Sequence, residues 1–313
     1  MRKIDKNKIK TWFVTGASSG VGHEFCKLLL EQGNNVIAIA RRTPQFSGEN
    51  ALCLSVDVTD KSAVENAIKQ GIEQFGSIDV LVNNAGIGSN VLHELETLEH
   101  MNDVMNVNFF GTFNTINSIL PYFRQQGYGT IINNTSMSGI APRLWGSAYC
   151  SSKHAVEALS GVVKLEAQNF CRVMAFELGW FPGTEILKSA LYKVPKDIPV
   201  YQNLKTEYNV KTDKKSIEKA VWTIIKVVKE EKKLPRHFMV GLDSIQKGEA
   251  EIKILKEGIK FSRKYLKQYS QYSFFKNFFQ KVFSVKNQTI KGAKRKIITI
   301  LGVKLKLKIR RTK

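Results

Sequence analysis

The chain has 313 residues, 43% of them hydrophobic, enough to bury one large domain. No apolar run approaches the roughly 18 residues of a membrane span, and the basic opening MRKIDKNKIK meets TGASSG too soon for a signal peptide. The net charge of +21 is uneven: of 48 Lys and Arg, 17 stand from Gly258 onward, where no Asp or Glu occurs, leaving 31 against 27 acids.

In chain order, the strand-like WFVT leads into TGASSGVG, Thr15 to Gly22, and then the helical GHEFCKLLLEQG. Gly16, Gly20 and Gly22 permit a tight turn and let a pyrophosphate reach backbone N–H groups at a helix N-terminus. The spacing G-x-x-x-G-x-G differs from the G-x-G-x-x-G fingerprint, so a plain strand–helix turn remains an alternative at this point. NNVIAIA follows and ends in Arg41 and Arg42, where an acid for a ribose 2′-hydroxyl is expected. An arginine there pairs with a 2′-phosphate, which favours NADP(H) over NAD(H), unless both arginines are merely solvated. ALCLSV carries Asp57 just beyond it, and the helical KSAVENAIKQGIEQF comes next. DVLVNNAGIG ends a fourth strand with Asn83 and Asn84, which can bond backbone, and with Ala85 and Gly86, which leave room for a flat ligand. Asn108 lies in the helical MNVNFFG, and Ser136 ends the strand TIINNTS. Tyr149 and Lys153 follow in GSAYCSSKHA, one helical turn apart and so on one face. CRVMAFEL is a further strand; KSIEKAVWTIIKVVKEE a helix; HFMVG a last short strand; and Ser244 to about Gln268 a polar helix. Continuous apolar strands separated by helices predict a doubly wound α/β fold with a parallel sheet, its ligands at the carboxyl ends of the strands.

TGASSGVG, NNAG, NVNFFG, NNTSMSG and YCSSK stand in the order and separations of the short-chain dehydrogenase/reductase family, which residues 10–240 resemble. The resemblance implies a Rossmann fold and an oxidoreductase that interconverts a carbonyl and an alcohol. It implies that Tyr149 is the acid or base, that Lys153 holds the nicotinamide ribose, that Ser136 bonds the carbonyl, and that Asn108 positions a water in a proton relay. A phenol with a pKa of about 10 needs a neighbouring ammonium to work near neutrality. Cofactor contacts are expected at Gly16, Ser18, Ser19, Gly20, Val21, Gly22, Arg41, Asp57, Val58, Asn84, Ala85, Gly86, Tyr149 and Lys153. Asp57 matches the adenine-binding position, and a helix N-cap acid is its other reading. The family's Pro-Gly after the sixth strand falls on Leu178-Gly179, with Pro182-Gly183 four residues later; Gly179 and Thr184 are the expected contacts there. Ile140, Leu144, Trp145, Trp180 and Phe181 are expected to line an apolar substrate pocket, with Trp145 and Trp180 beside Ser136 and Tyr149. The rival function is a non-catalytic dinucleotide sensor, against which the intact Asn108, Ser136, Tyr149 and Lys153 argue.

The five histidines are dispersed and read as surface or packing residues, and no metal is required. The scattered Cys26, Cys53, Cys150 and Cys171 read as reduced thiols of a cytoplasmic protein. The catalytic domain is expected over 1–273 and a basic tail over 274–313. In the tail, FFKNFFQKVF puts Phe274, Phe275, Phe278, Phe279, Val282 and Phe283 on one helical face, and VKLKLKIRR alternates like a strand. That pattern favours an anionic membrane surface over nucleic acid as the tail's partner, and packing on the enzyme's own surface or on a second subunit is its other reading. It also makes a lipid-linked or sugar substrate conceivable. A homo-oligomer is expected by resemblance, pairing through the helices of Asn108 and Tyr149.

Overall fold

Strand β1 (Thr11–Thr15) is buried at every position, because its alternate side chains enter two different cores. Trp12 and Val14 pack with Phe25 and Leu29 on one face of the sheet; Phe13 packs with Ile68, Ile116 and Phe123 on the other. The computed structural model describes residues 10–181, 198–201, 204 and 217–266, and the backbone of 283–290, 293–300 and 303–308.

The first core is closed by helix α1 (Gly20–Glu31) and by α6 (Ile217–Glu230), whose Val221, Ile224, Ile225 and Val228 recur at helical spacing. The second is closed by α2 (Lys61–Phe75), α4 (Gly111–Gln126) and α5 (Ser147–Glu166). Helix α2 shows the local logic. Asp60 caps it by accepting from the Ala63 N–H at 3.0 Å, and Gly76 ends it in the left-handed region at φ 79°.

The sheet adds β2 (Asn35–Ala40), β3 (Ala51–Ser55), β4 (Val80–Asn83), β5 (Thr130–Asn134), β6 (Arg172–Leu178) and β7 (His237–Val240). Its order is β3-β2-β1-β4-β5-β6-β7 and every pairing is parallel. The order reverses between β1 and β4, the switch point where doubly wound sheets open a ligand crevice.

Helix α3 (Leu98–Met105) runs into α4 through a π-helical turn over Asn106–Phe110. Such a turn re-aims side chains and is common at functional sites. It buries Asn108, which the sequence places only in a helical stretch.

The chain divides into two compact units after Glu251, within α7 (Leu242–Leu266). The second unit contains an antiparallel sheet of β8 (Phe283–Ile290), β9 (Ala293–Ile300) and β10 (Val303–Lys308) in the order β10-β9-β8. The period-two run VKLKLK is β10, as its alternation predicts. Phe283 opens β8 and does not continue a helix; the rest of the expected phenylalanine face lies outside the described residues, as does the 273/274 boundary.

Candidate active site

The carboxyl ends of β1 to β6 open into one cleft of about 740 Å³. The loop after β1 and the start of α1 line its near end with Gly16, Ser18, Ser19, Gly20 and Val21. Gly16 and Gly20 adopt φ 66° and 53°, which a residue with a Cβ resists. At Gly16 a Cβ would also lie 2.8 Å from the Ala85 Cα; at Gly20 nothing stands within 4 Å, so backbone faces open space. No acid stands in the first turn of α1, leaving the positive end of the helix uncompensated by carboxylates on it. Gly22 does not line the cleft. Its Cβ would meet the Gly16 carbonyl oxygen at 2.3 Å, so it serves close packing of helix on loop.

Arg41 and Arg42 line the cleft at the end of β2, both exposed. Arg42 donates to the Ser18 carbonyl at 3.4 Å, beside the glycine loop. Asp57 and Val58 line it beyond β3. Asp57 is not the cap of α2; its Oδ1 accepts from the Thr59 N–H and hydroxyl at 2.9 and 2.8 Å. After β4 come Asn84, Ala85 and Gly86. Asn84 donates to the Thr15 and Gly16 carbonyls at 3.1 and 3.3 Å and accepts from Asn134 at 2.8 Å. Asn83 points the other way, donating to Asn133 and accepting from Thr115; these are side-chain partners rather than backbone.

Lys153 is 3% exposed and donates to the Asn134 carbonyl at 2.9 Å. Burial lowers its pKa to about 8, and Glu157 opposes that shift. Its Nζ lies 5.7 Å from the centre of the Tyr149 ring. Arg143, which the sequence did not single out, brings its guanidinium within 5.5 Å of the same ring. It is held there by bonds to the Ser89 and Leu144 carbonyls. Asn108 is fully bonded: its amide exchanges hydrogen bonds with both backbone groups of Ile87 and donates to Ser152, which in turn donates to the Tyr149 carbonyl. It thus ties the loop after β4 to the helix of Tyr149 and Lys153. Ser136 lines the cleft, and its oxygen accepts from the Ser138 N–H at 3.1 Å.

Leu178, Gly179, Trp180 and Phe181 complete the wall after β6. Gly179 bonds β7 through Val240, and the Trp180 N–H donates to Asp243 at 2.6 Å. Thr184 and Pro182-Gly183 lie outside the described residues. Ile140, Leu144 and Trp145 are not among the lining residues. Trp145 instead turns back at φ 57°, and its carbonyl accepts from Val91.

The arrangement suits a dinucleotide. The glycine loop and the two arginines line one end of the cleft, and Lys153 and Tyr149 line it farther along. Asn134 adds a buried Oδ1 without a hydrogen-bond partner on the same wall.

The family described as short chain dehydrogenase matches residues 10–193. The chain belongs to the short-chain dehydrogenase family. An oxidoreductase of Botryotinia fuckeliana is 32% identical over 76% of this chain and 90% of its own. A 3-ketodihydrosphingosine reductase of Bacteroides thetaiotaomicron is 40% identical over 50% of this chain, and dehydrogenase/reductase SDR family member 7 of Mus musculus is 30% identical over 66%. The matches span 58% and 62% of those two relatives. Among solved structures, a short-chain dehydrogenase from Streptomyces avermitilis superposes with a TM-score of 0.72 at 26% identity, over 84% of this chain and 100% of that one.

Sequence reasoning missed three residues behind this family's site. Glu157 and Glu177 are buried, and His237 meets both at the edge of the sheet. Lone acids on an apolar strand and a helix give no period or spacing to find them by. All four cysteines are free thiols. Among the described residues no helix is long and apolar enough to cross a membrane.

Proposed function

We propose that this member of the family is an NADP(H)-dependent oxidoreductase that interconverts a carbonyl and an alcohol. The observation that carries the reading is buried Lys153 beside Tyr149, in a cleft whose other end is a glycine cradle. Solved structures of the same fold are complexes with NADP and with NADH. Arg41 and Arg42, with no acid at the end of β2, favour the phosphorylated cofactor. NADP(H) supplies or takes up the hydride when bound.

The protein's own part is to move and hold the proton. Tyr149 gives its phenolic proton to the carbonyl oxygen in reduction and takes one from the alcohol in oxidation. Lys153 and Arg143 stabilise the phenolate that reduction leaves. Ser136 holds the substrate oxygen, and Asn108 fixes Tyr149 and Lys153 against the loop after β4. Trp180 and Phe181 offer an apolar wall, which suits a hydrophobic or ring-shaped substrate. The similarity to the Bacteroides 3-ketodihydrosphingosine reductase agrees with that choice.

Two further parts of the reading rest on surfaces. Phe110 and Phe113 on the helix of Asn108, and Val162 and Leu165 on α5, are exposed and suit pairing of subunits. The tail's 13 basic residues without an acid suit an anionic lipid surface. Its register pairs Val285 with Ile298 and Ile298 with Leu305, while Lys304, Lys306 and Lys308 take the alternate positions of β10.

The test is oxidation of NADPH with a panel of aldehydes and ketones, on the wild type and on Tyr149→Phe. The variant is expected to bind NADPH and to lose turnover by about 10²–10⁴-fold, the usual weight of a positioned acid. Near-normal turnover in the variant would refute the mechanism.

A further inference from the structure

Behind the cleft, Glu157 and Glu177 face each other in the core, 5% and 0% exposed. His237 Nδ1 donates to Glu177 Oε1 at 2.8 Å and lies 3.2 Å from Glu157 Oε2. One nitrogen of His237 and one oxygen of each glutamate fall within 4.8 Å of one another. Both Glu157 oxygens and Glu177 Oε2 are buried without a hydrogen-bond partner. Two ionised carboxylates packed this way repel each other, and three of their four oxygens lack a hydrogen-bond donor. A single shared proton relieves both problems: it removes one charge and gives one carboxyl an O–H to donate to the other. Glu157 stands one helical turn after Lys153 on α5, and a Cβ at Gly139 would touch the Lys153 carbonyl at 3.1 Å and the Glu157 Cγ at 3.3 Å.

We propose that Glu157, Glu177 and His237 form a buried cluster sharing one proton, whose remaining negative charge holds Lys153 as an ammonium. They are positioning residues that act through Lys153, so the inference rests on the function proposed above. The directions of the titrations agree. Burial and the charge of Glu157 push Glu177 up to about 9, so Glu177 holds the proton. The charge of Glu157 raises the pKa of Lys153 against burial. Two further charged residues adjoin these elements. Arg236 packs against Gly161 of α5, and Asp243 at the start of α7 accepts from Trp180. Ser244 caps the Glu177 carbonyl at 2.8 Å, which fixes the end of β6. His237, partly exposed, is the cluster's contact with solvent.

The test reads Lys153 directly, by the pH titration of its 13Cε resonance in the full-length protein, assigned with Lys153→Arg. This measurement stands even if no carbonyl substrate is turned over, so failure of the proposed function and of the inference are distinguishable. In the wild type the midpoint is expected near 8. Glu157→Gln is expected to lower it by about one unit, tenfold in proton affinity, as loss of a charge one turn away implies. Glu177→Gln, which replaces a protonated carboxyl by a neutral amide, is expected to leave it unchanged. A purely structural pair would leave both variants at the wild-type midpoint, and that result overturns the proposal. An equal fall in both variants overturns the shared proton. If either variant fails to fold, the wild-type infrared spectrum decides: a protonated-carboxyl band persisting at pH 7 supports the proposal and its absence refutes it. Stoichiometric metal in the purified protein, removed with loss of the cluster's carboxyl signals, overturns it as well.

Discussion

Gly22→Ala tests how the cofactor loop is built. The new Cβ would stand 2.3 Å from the Gly16 carbonyl oxygen and 2.5 Å from Asn84 Nδ2, against 3.4–4 Å for ordinary contact. Something must therefore shift by roughly 1 Å. Gly16 cannot retreat, because its own Cβ position is already 2.8 Å from the Ala85 Cα. Asn84 can move only by giving up its bonds to Thr15 and Gly16. Overpacking of this kind costs about 1–3 kcal/mol, and a domain of this size loses about 2–4 °C in Tm per kcal/mol. A fall of roughly 2–12 °C is expected by thermal unfolding. Because Gly16 lines the cleft, NADPH affinity measured by fluorescence is expected to fall about tenfold or more, some 1.4 kcal/mol. Gly33→Ala is the control. Gly33 has φ 72° with nothing within 4 Å and lies away from the cleft, so strain lowers its stability but not its affinity. Wild-type NADPH affinity in Gly22→Ala would show that the loop does not depend on this contact.

Arg41→Ala and Arg42→Ala are expected to lower the preference for NADP(H) over NAD(H) by about ten- to a hundredfold, the weight of a charge-assisted phosphate contact; unchanged kcat/KM ratios would make both arginines bystanders. Stability should fall as pH rises from about 5 to 7.5. Glu177 titrates at about 9 in the fold and near 4.5 when unfolded, so its contribution is full below 4.5 and lost as pH climbs toward 9. Thermal unfolding of Glu177→Gln is expected to show a shallower slope over that window, and an identical slope counts against the protonated carboxyl. A version ending at Ser273 is expected to keep reductase activity and to lose salt-sensitive co-sedimentation with anionic liposomes; equal sedimentation of both versions would assign the tail a structural role.

The sheet was legible because its strands are continuous apolar runs, two of which, β2 and β5, end in the cleft-lining Ala40 and Asn134. The tyrosine and lysine were legible because i and i+4 share a helix face. What stayed hidden depends on loops and on distant partners. Arg143 reaches Tyr149 because the 140–146 loop is pinned to residues 89 and 91, and no local pattern encodes that. The same loop takes Trp145 off the cleft wall. Strands β8 and β9 were missed because FSVKNQTI and AKRKIITI carry no strict alternation; only their pairing defines them. His237 was read as an ordinary residue because its two carboxylate partners lie 60 and 80 positions away on other elements.

The paired asparagines of DVLVNN and TIINN show why cradle and acid–base groups form one unit. Successive strand residues face opposite sides of a sheet. Asn83 and Asn133 therefore bond each other on the side of α4 and α5, where Thr115 and Ser160 complete the set. Asn84 and Asn134 bond each other on the opposite side, where Thr15 and Gly16 belong to the glycine loop. The Asn134 carbonyl then takes the Lys153 ammonium. A continuous path of hydrogen bonds thus leads from the cofactor loop through the ends of β4 and β5 to the lysine beside Tyr149. Each bond is worth only about 1 kcal/mol, but a buried network left half-made costs more than it stabilises. Displacing the loop at Gly16 should therefore reach Lys153 through Asn84 and Asn134, so in the proposed mechanism a fault in the glycine loop is also a fault in proton transfer.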